Sequence, residues 1–114
     1  MKYSIENIDN IVIFVLKNEV VDSKISAELK AKLLITCQPD IEALIMDITH
    51  VQSFDSAGIG SVLLAERQLA EYEVPMLIVG ANSFIHEMFK LLRLDDLFDF
   101  YPTVEEALKD LENS

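Results

Sequence analysis

The chain has one cysteine, no tryptophan, three prolines and three glycines in 114 residues. A single thiol, Cys37, closes no internal disulfide, which suits a reducing compartment. One cysteine and two scattered histidines, His50 and His86, cannot supply the four ligands of a tetrahedral zinc site. Both histidines are expected at the surface, and Cys37, near a helix C-terminus, as a small packed residue with no nucleophilic role. Cations are scarce as well: 9 Lys and Arg stand against 20 Asp and Glu, a formal net charge of −11. So acidic a surface repels phosphodiester backbones, which argues against direct nucleic-acid binding. No apolar run approaches the roughly 18 to 20 residues needed to cross a bilayer, and Met1-Lys2-Tyr3-Ser4 opens no leader with a small-residue cleavage site. The expectation is a cytoplasmic protein without membrane insertion.

Reactive constellations are missing too. Gly58-Ile59-Gly60 is a fragment of a phosphate loop, but neither GxGxxG nor GxxxxGK[ST] is complete, so no lysine or metal-binding hydroxyl serves a nucleotide. Asp55-Ser56 lacks the GxSxG nucleophile elbow. The carboxylates are spread along helix faces, where solvation explains them. The expectation is a protein that is not an enzyme and binds no metal and no cofactor.

What is present is a globular composition, 51% hydrophobic and 25% charged, consistent with one domain over residues 1–114. Tyr3 to Ile8 and Ile11 to Leu16 read as a β-hairpin turning at Asp9-Asn10, with the half-polar first strand at an edge and the apolar second strand central. A helix begins between Ser23 and Ser26, where either serine could cap it, carries Ile25, Leu29 and Leu33 on one face, and ends before Pro39. Ala43 to Ile48 is a third strand. Ile59 to Tyr72 is helical, Met76 to Val79 a buried strand, and Asn82 or Ser83 caps a helix bearing Ile85, Phe89 and Leu92. A short strand within Leu97 to Tyr101 precedes a last helix, for which Thr103-Val104-Glu105-Glu106 forms a capping box. The order ββαβαβα(β)α implies an α/β fold: a mixed, mostly parallel sheet, about four helices and an opening hairpin.

The stretch Ser53-Phe54-Asp55-Ser56-Ala57-Gly58-Ile59-Gly60 joins the third strand to the second helix. Small residues at such a junction let something approach the backbone closely. Either Asp55 or Ser56 can cap the helix, a role worth about 1 kcal/mol. The same position exposes a hydroxyl to a kinase: a phosphoryl group there gains from the helix dipole while adding about −1.5 to −2 charges beside Asp55. Phe84, Met88 and Phe89 form a further stripe, read mainly as core packing.

In these residues the chain resembles STAS domains, and within them the bacterial anti-sigma factor antagonists. The resemblance runs through the hairpin, Asp22, Leu44-Ile45-Met46-Asp47-Ile48, Phe54-Asp55-Ser56-Ala57-Gly58-Ile59-Gly60, Met76-Leu77-Ile78-Val79, Phe89-Lys90-Leu91-Leu92-Arg93-Leu94 and Thr103-Val104-Glu105-Glu106-Ala107-Leu108. It implies a STAS-like single domain that binds an anti-sigma factor/serine kinase and so releases a sigma factor. The partner kinase, which alone uses ATP, would phosphorylate Ser56 and switch binding off, and a PP2C-type phosphatase would restore it. Asp22, Ser53, Asp55, Ser56, Ala57, Gly58 and Ile59 are the partner-binding residues so implied. Two departures stand out: Ala57 replaces a second hydroxyl residue common in the family, and Asn18-Glu19-Val20-Val21-Asp22 replaces a shorter Gly-Glu-x-Asp loop. Similar domains also serve as accessory subunits of lipid-transport ABC ATPases, where the hydroxyl residue is a docking contact, so the alternative is a STAS adaptor without phosphorylation.

Overall fold

Asp9 and Asn10 both adopt positive φ, 50° and 67°, the twist that a two-residue hairpin turn requires. They join β1 (Tyr3–Ile8) to β2 (Ile11–Leu16) in antiparallel register, Tyr3 opposite Leu16 and Ile8 opposite Ile11. The Tyr3 ring stacks on Phe14 at 5.4 Å, anchoring the otherwise exposed edge strand. The computed structural model describes residues 1–113.

Beyond the hairpin, β4 (Ala43–Asp47), β6 (Met76–Val79) and β7 (Asp99–Tyr101) add in parallel, giving a five-stranded sheet of order β1-β2-β4-β6-β7. β2, β4 and β6 are apolar on both faces because both faces are covered. Val12, Phe14, Leu16, Leu44, Met46, Met76 and Ile78 share one core with α1 (Ser23–Thr36), α2 (Ser56–Glu71) and α3 (Ser83–Leu91). Ile13, Ala43, Ile45, Leu77 and Val79 face the other way, against α4 (Val104–Glu112). A 3-10 turn over Asp95–Leu97 leads into β7. The expected α/β architecture of the opening hairpin, parallel remainder and four helices is what forms, with β1 at the edge and β2 inside.

The helix starts differ in detail from the expectation. Asp22, preceding both candidate serines, caps α1 by accepting from the Lys24 N–H at 2.9 Å. Asn82 caps α3 through the Ile85 N–H at 2.8 Å. Thr103 Oγ1 accepts from the Glu106 N–H at 3.2 Å; among the described residues the reciprocal bond, from the Thr103 N–H to the Glu106 carboxylate, is not made. At the other end of α1, Gln68 Nε2 donates to the carbonyls of Cys37 (2.6 Å) and Leu34 (3.3 Å), so a side chain of α2 closes that terminus. His50 is exposed, whereas His86 is half-buried, its ring 4.4 Å from that of Phe100.

Cys37 is buried at this junction, and desolvation pushes its thiol from 9.0 up to about 11. The unfolded thiol then ionises first, so stability falls as pH rises through the interval from 9.0 to about 11. Urea unfolding should show that loss in the native sequence and less of it in Cys37→Ala. Native protein at pH 8 should also resist thiol reagents until it is unfolded.

Candidate functional site

Two strands of only two residues build the site. β3 (Val20–Val21) and β5 (Ser53–Phe54) pair in parallel, apart from the main sheet, with Val20 opposite Ser53 and Val21 opposite Phe54. The Glu19 carbonyl accepts from the N–H groups of Gln52 (2.7 Å) and Ser53 (3.2 Å), and the Val21 carbonyl from that of Asp55 (3.0 Å). Each short strand runs straight into Asp-Ser and a helix: Val21-Asp22-Ser23 into α1, Phe54-Asp55-Ser56 into α2. Continuing the register by one residue sets Asp22 beside Asp55. The Asn18-Glu19-Val20-Val21-Asp22 segment, read from the sequence as a departure, holds β3.

The capping choice at α2 falls on Asp55. Its Oδ1 accepts from the Gly58 N–H at 2.9 Å and its carbonyl from the Ile59 N–H at 3.0 Å. Ser56 is therefore the first helical residue, exposed, and its hydroxyl has no hydrogen-bond partner among the described residues. Asp55, Ser53 and Ala57 are half-buried around it, and Asp22 is half-buried at the neighbouring helix start. Gly58 and Ile59 lie inward: Gly58 is buried and Ile59 is a core side chain. The structure therefore gathers Asp22, Ser53, Asp55, Ser56 and Ala57 at one accessible end, and puts Gly58 and Ile59 beneath it. Ser61, buried one turn further on, donates from Oγ to the Ser26 carbonyl at 2.9 Å and to that of Ala57 at 3.2 Å, tying α1 to α2.

The glycines of the motif have different physical reasons. A Cβ on Gly58 would lie 2.7 Å from the Val21 oxygen and 2.8 Å from Val21 Cγ1, so β3 can pass the start of α2 only because this residue lacks a side chain. A Cβ on Gly60 would meet nothing within 4 Å. Gly60 opens instead into a shallow depression between α1 and α2, lined by Ser26, Ala27, Lys30, Ala57, Ser61 and Leu64. The fold does not need this glycine, and an interior helical glycine costs about 0.5–1 kcal/mol relative to alanine.

Sequence patterning overlooked the β3–β5 pair, because two residues carry no periodicity. The available signal was the repeated Asp-Ser after an apolar residue at both helix starts.

Chemically, this end offers the exposed hydroxyls of Ser56 on α2 and Ser23 on α1 beside the two capping carboxylates. Among the described residues no group of three or more His, Cys, Asp or Glu is arranged to hold a metal ion, and no helix is long and apolar enough to cross a membrane.

A family model described as STAS domain matches residues 2–107. No curated protein sequence matches the chain. Among solved structures, an anti-sigma factor antagonist from Mycobacterium paratuberculosis is similar at 19% identity, covering 97% of this chain and 93% of that one, with a TM-score of 0.85. The phosphorylated form of the Bacillus cell fate determinant SpoIIAA is 21% identical over 96% of this chain and 99% of its own, with a TM-score of 0.75. The murine anion transporter Slc26a9 matches over 96% of this chain but 19% of its own, at 14% identity and a TM-score of 0.81.

Alanine at the two glycines separates their roles. Gly58→Ala should destabilise by about 1–3 kcal/mol, the usual cost of forcing a methyl into packed backbone. Gly60→Ala should leave stability unchanged or raise it by up to about 1 kcal/mol. Chemical denaturation of the two variants checks both, and equal destabilisation would contradict this assignment.

Proposed function

The chain belongs to the STAS domain family, and from that premise we propose that it is an anti-sigma factor antagonist whose binding is switched off by phosphorylation at Ser56. The partner is an anti-sigma factor that is also a serine kinase; a PP2C-type phosphatase reverses the modification. The observation that carries this reading is the exposed, unbonded Ser56 hydroxyl on the first residue of α2, with Asp55 already performing the cap. Because the cap does not use the serine, a phosphoryl group can be added or removed without dismantling the helix start.

The switch is electrostatic. The added charge of about −1.5 to −2 sits where the helix N-terminus favours anions, so the modified helix is not disrupted. The chain already carries −11, and the two ion pairs among the described residues, Met1–Glu28 and Lys90–Glu87, involve no residue of this end. The new charge therefore faces outward, against whatever surface docks over Ser56. Ser53, Asp55, Ala57 and the Gly60 depression form the docking face around it, with Asp22 at its margin. Gly58 and Ile59 contribute by holding the backbone in place. This chain needs no cofactor for that role; ATP is bound by the kinase.

A second reading is a STAS adaptor that docks without phosphorylation. It draws on the likeness to a small part of the anion transporter chain, and it too uses the face around Ser56.

Incubation with the cognate kinase and ATP should add one phosphate, located on Ser56 by mass spectrometry, and none on Ser56→Ala. In a pull-down, Ser56→Ala should retain the partner and Ser56→Asp should lose affinity about tenfold or more, since like charges brought together at an interface are costly. Retention of the partner by both variants together with no phosphate at Ser56 would favour the adaptor.

A further inference from the structure

The two faces of the sheet are unequally covered. Three helices lie on one face, but α4 alone covers the other, and it packs over β4, β6 and β7. The β1–β2 side of that face is left partly bare. Ile8 is 39% exposed and Ile11 is half-buried. Between this hairpin and α4 runs a groove of about 540 Å³. Its floor is apolar: Ile8 and Ile11 from the hairpin, Pro75 before β6, and Leu108 and Leu111 from α4. The charged residues lining it are all acidic, Asp9, Glu42 and Glu112, and no lysine or arginine lines it.

The walls are held by backbone bonds. The Glu42 N–H donates to the Asn10 carbonyl at 2.8 Å, fixing the start of β4 to the hairpin turn, and the Leu44 N–H donates to the Pro75 carbonyl at 3.1 Å. The groove lies at the N-terminal ends of β4 and β6, whereas Ser56 follows β5 at the opposite end of the strands. An occupant here and a partner at Ser56 would not compete for the same surface.

We propose that this groove binds a small organic cation with an apolar body, an amine whose ammonium group faces the carboxylates of Asp9, Glu42 and Glu112 while its hydrocarbon lies on the isoleucines and leucines. Size and charge together select this class. The volume falls within the range of small-molecule sites, about 300–1,000 Å³. An apolar floor favours a hydrocarbon body, and a rim of carboxylates alone favours a cation over a neutral or anionic head group.

The test is a backbone amide NMR titration of the full chain with 4-phenylbutylamine and, in parallel, with 4-phenylbutanoate, which exchanges the ammonium for a carboxylate. The amine should produce saturable shifts at Ile8, Ile11, Leu108 and Leu111, and the carboxylate none. Glu42→Lys combined with Glu112→Lys, both exposed positions, should weaken the amine about tenfold, as expected for reversing two surface charges, while leaving the remaining spectrum in place. Absence of saturation, equal response to both compounds, shifts centred elsewhere, or undiminished binding by the charge-reversed variant would each overturn the proposal.

Discussion

One carbonyl oxygen, that of Val21, holds the candidate functional end of this molecule together. It accepts the Asp55 N–H at 3.0 Å and thereby aligns β3 with β5. The same oxygen would lie 2.7 Å from a side chain at residue 58, so glycine is required there. From this contact follow the side-by-side starts of α1 and α2, the two capping aspartates, and the outward position of Ser56. The Ser61 hydroxyl then joins the same two helices one turn later, and Gln68 joins them again at the far end of α1. Few of these links are strong alone, since a typical net hydrogen bond contributes about 0.5–1.5 kcal/mol. Together they give the site a fixed backbone frame.

Most of the fold was legible in the sequence because its signals are long. The run Ile11 to Leu16 announces a strand covered on both faces, Asp9-Asn10 announces its turn, and Ile59, Val62 and Leu69 mark the buried stripe of α2. The caps of α2 and α3 were legible only as alternatives, and that of α1, expected at Ser23 or Ser26, falls instead on Asp22. Aspartate and serine both accept hydrogen bonds from a helix N-terminus, and where they are adjacent, only geometry decides between them. At both α1 and α2 it decided for aspartate. The difference between Gly58 and Gly60 was not legible at all. Both read as helix-start glycines, and only the distance to Val21 shows that one is demanded by the fold and the other is open to solvent.

The candidate site was legible as a motif and not as a surface. Ser53, Asp55, Ser56 and Ala57 were all in view, but their relation to Asp22 depends on β3, which has too few residues to show a pattern. The lengthened loop at Val20-Val21 reads as a departure from the family pattern; in the structure it is the strand that brings Asp22 to the site. Ile59 illustrates the opposite limit. It adjoins the exposed residues in sequence, yet helical periodicity turns its side chain into the core beside Val62 and Phe54.

Asp55 caps α2 and the Ser56 hydroxyl takes no part in that cap, so under the proposed function modification of Ser56 would change the surface charge and leave the architecture intact. The most direct measurement compares the unmodified protein with protein carrying phosphoserine at residue 56, taking unfolding free energy and partner affinity on the same samples. The expected result is unfolding free energy equal within about 1 kcal/mol, the scale of a helix-dipole interaction, with partner affinity strongly reduced. Loss of affinity accompanied by a matching loss of stability, or full affinity in the phosphorylated form, would contradict it.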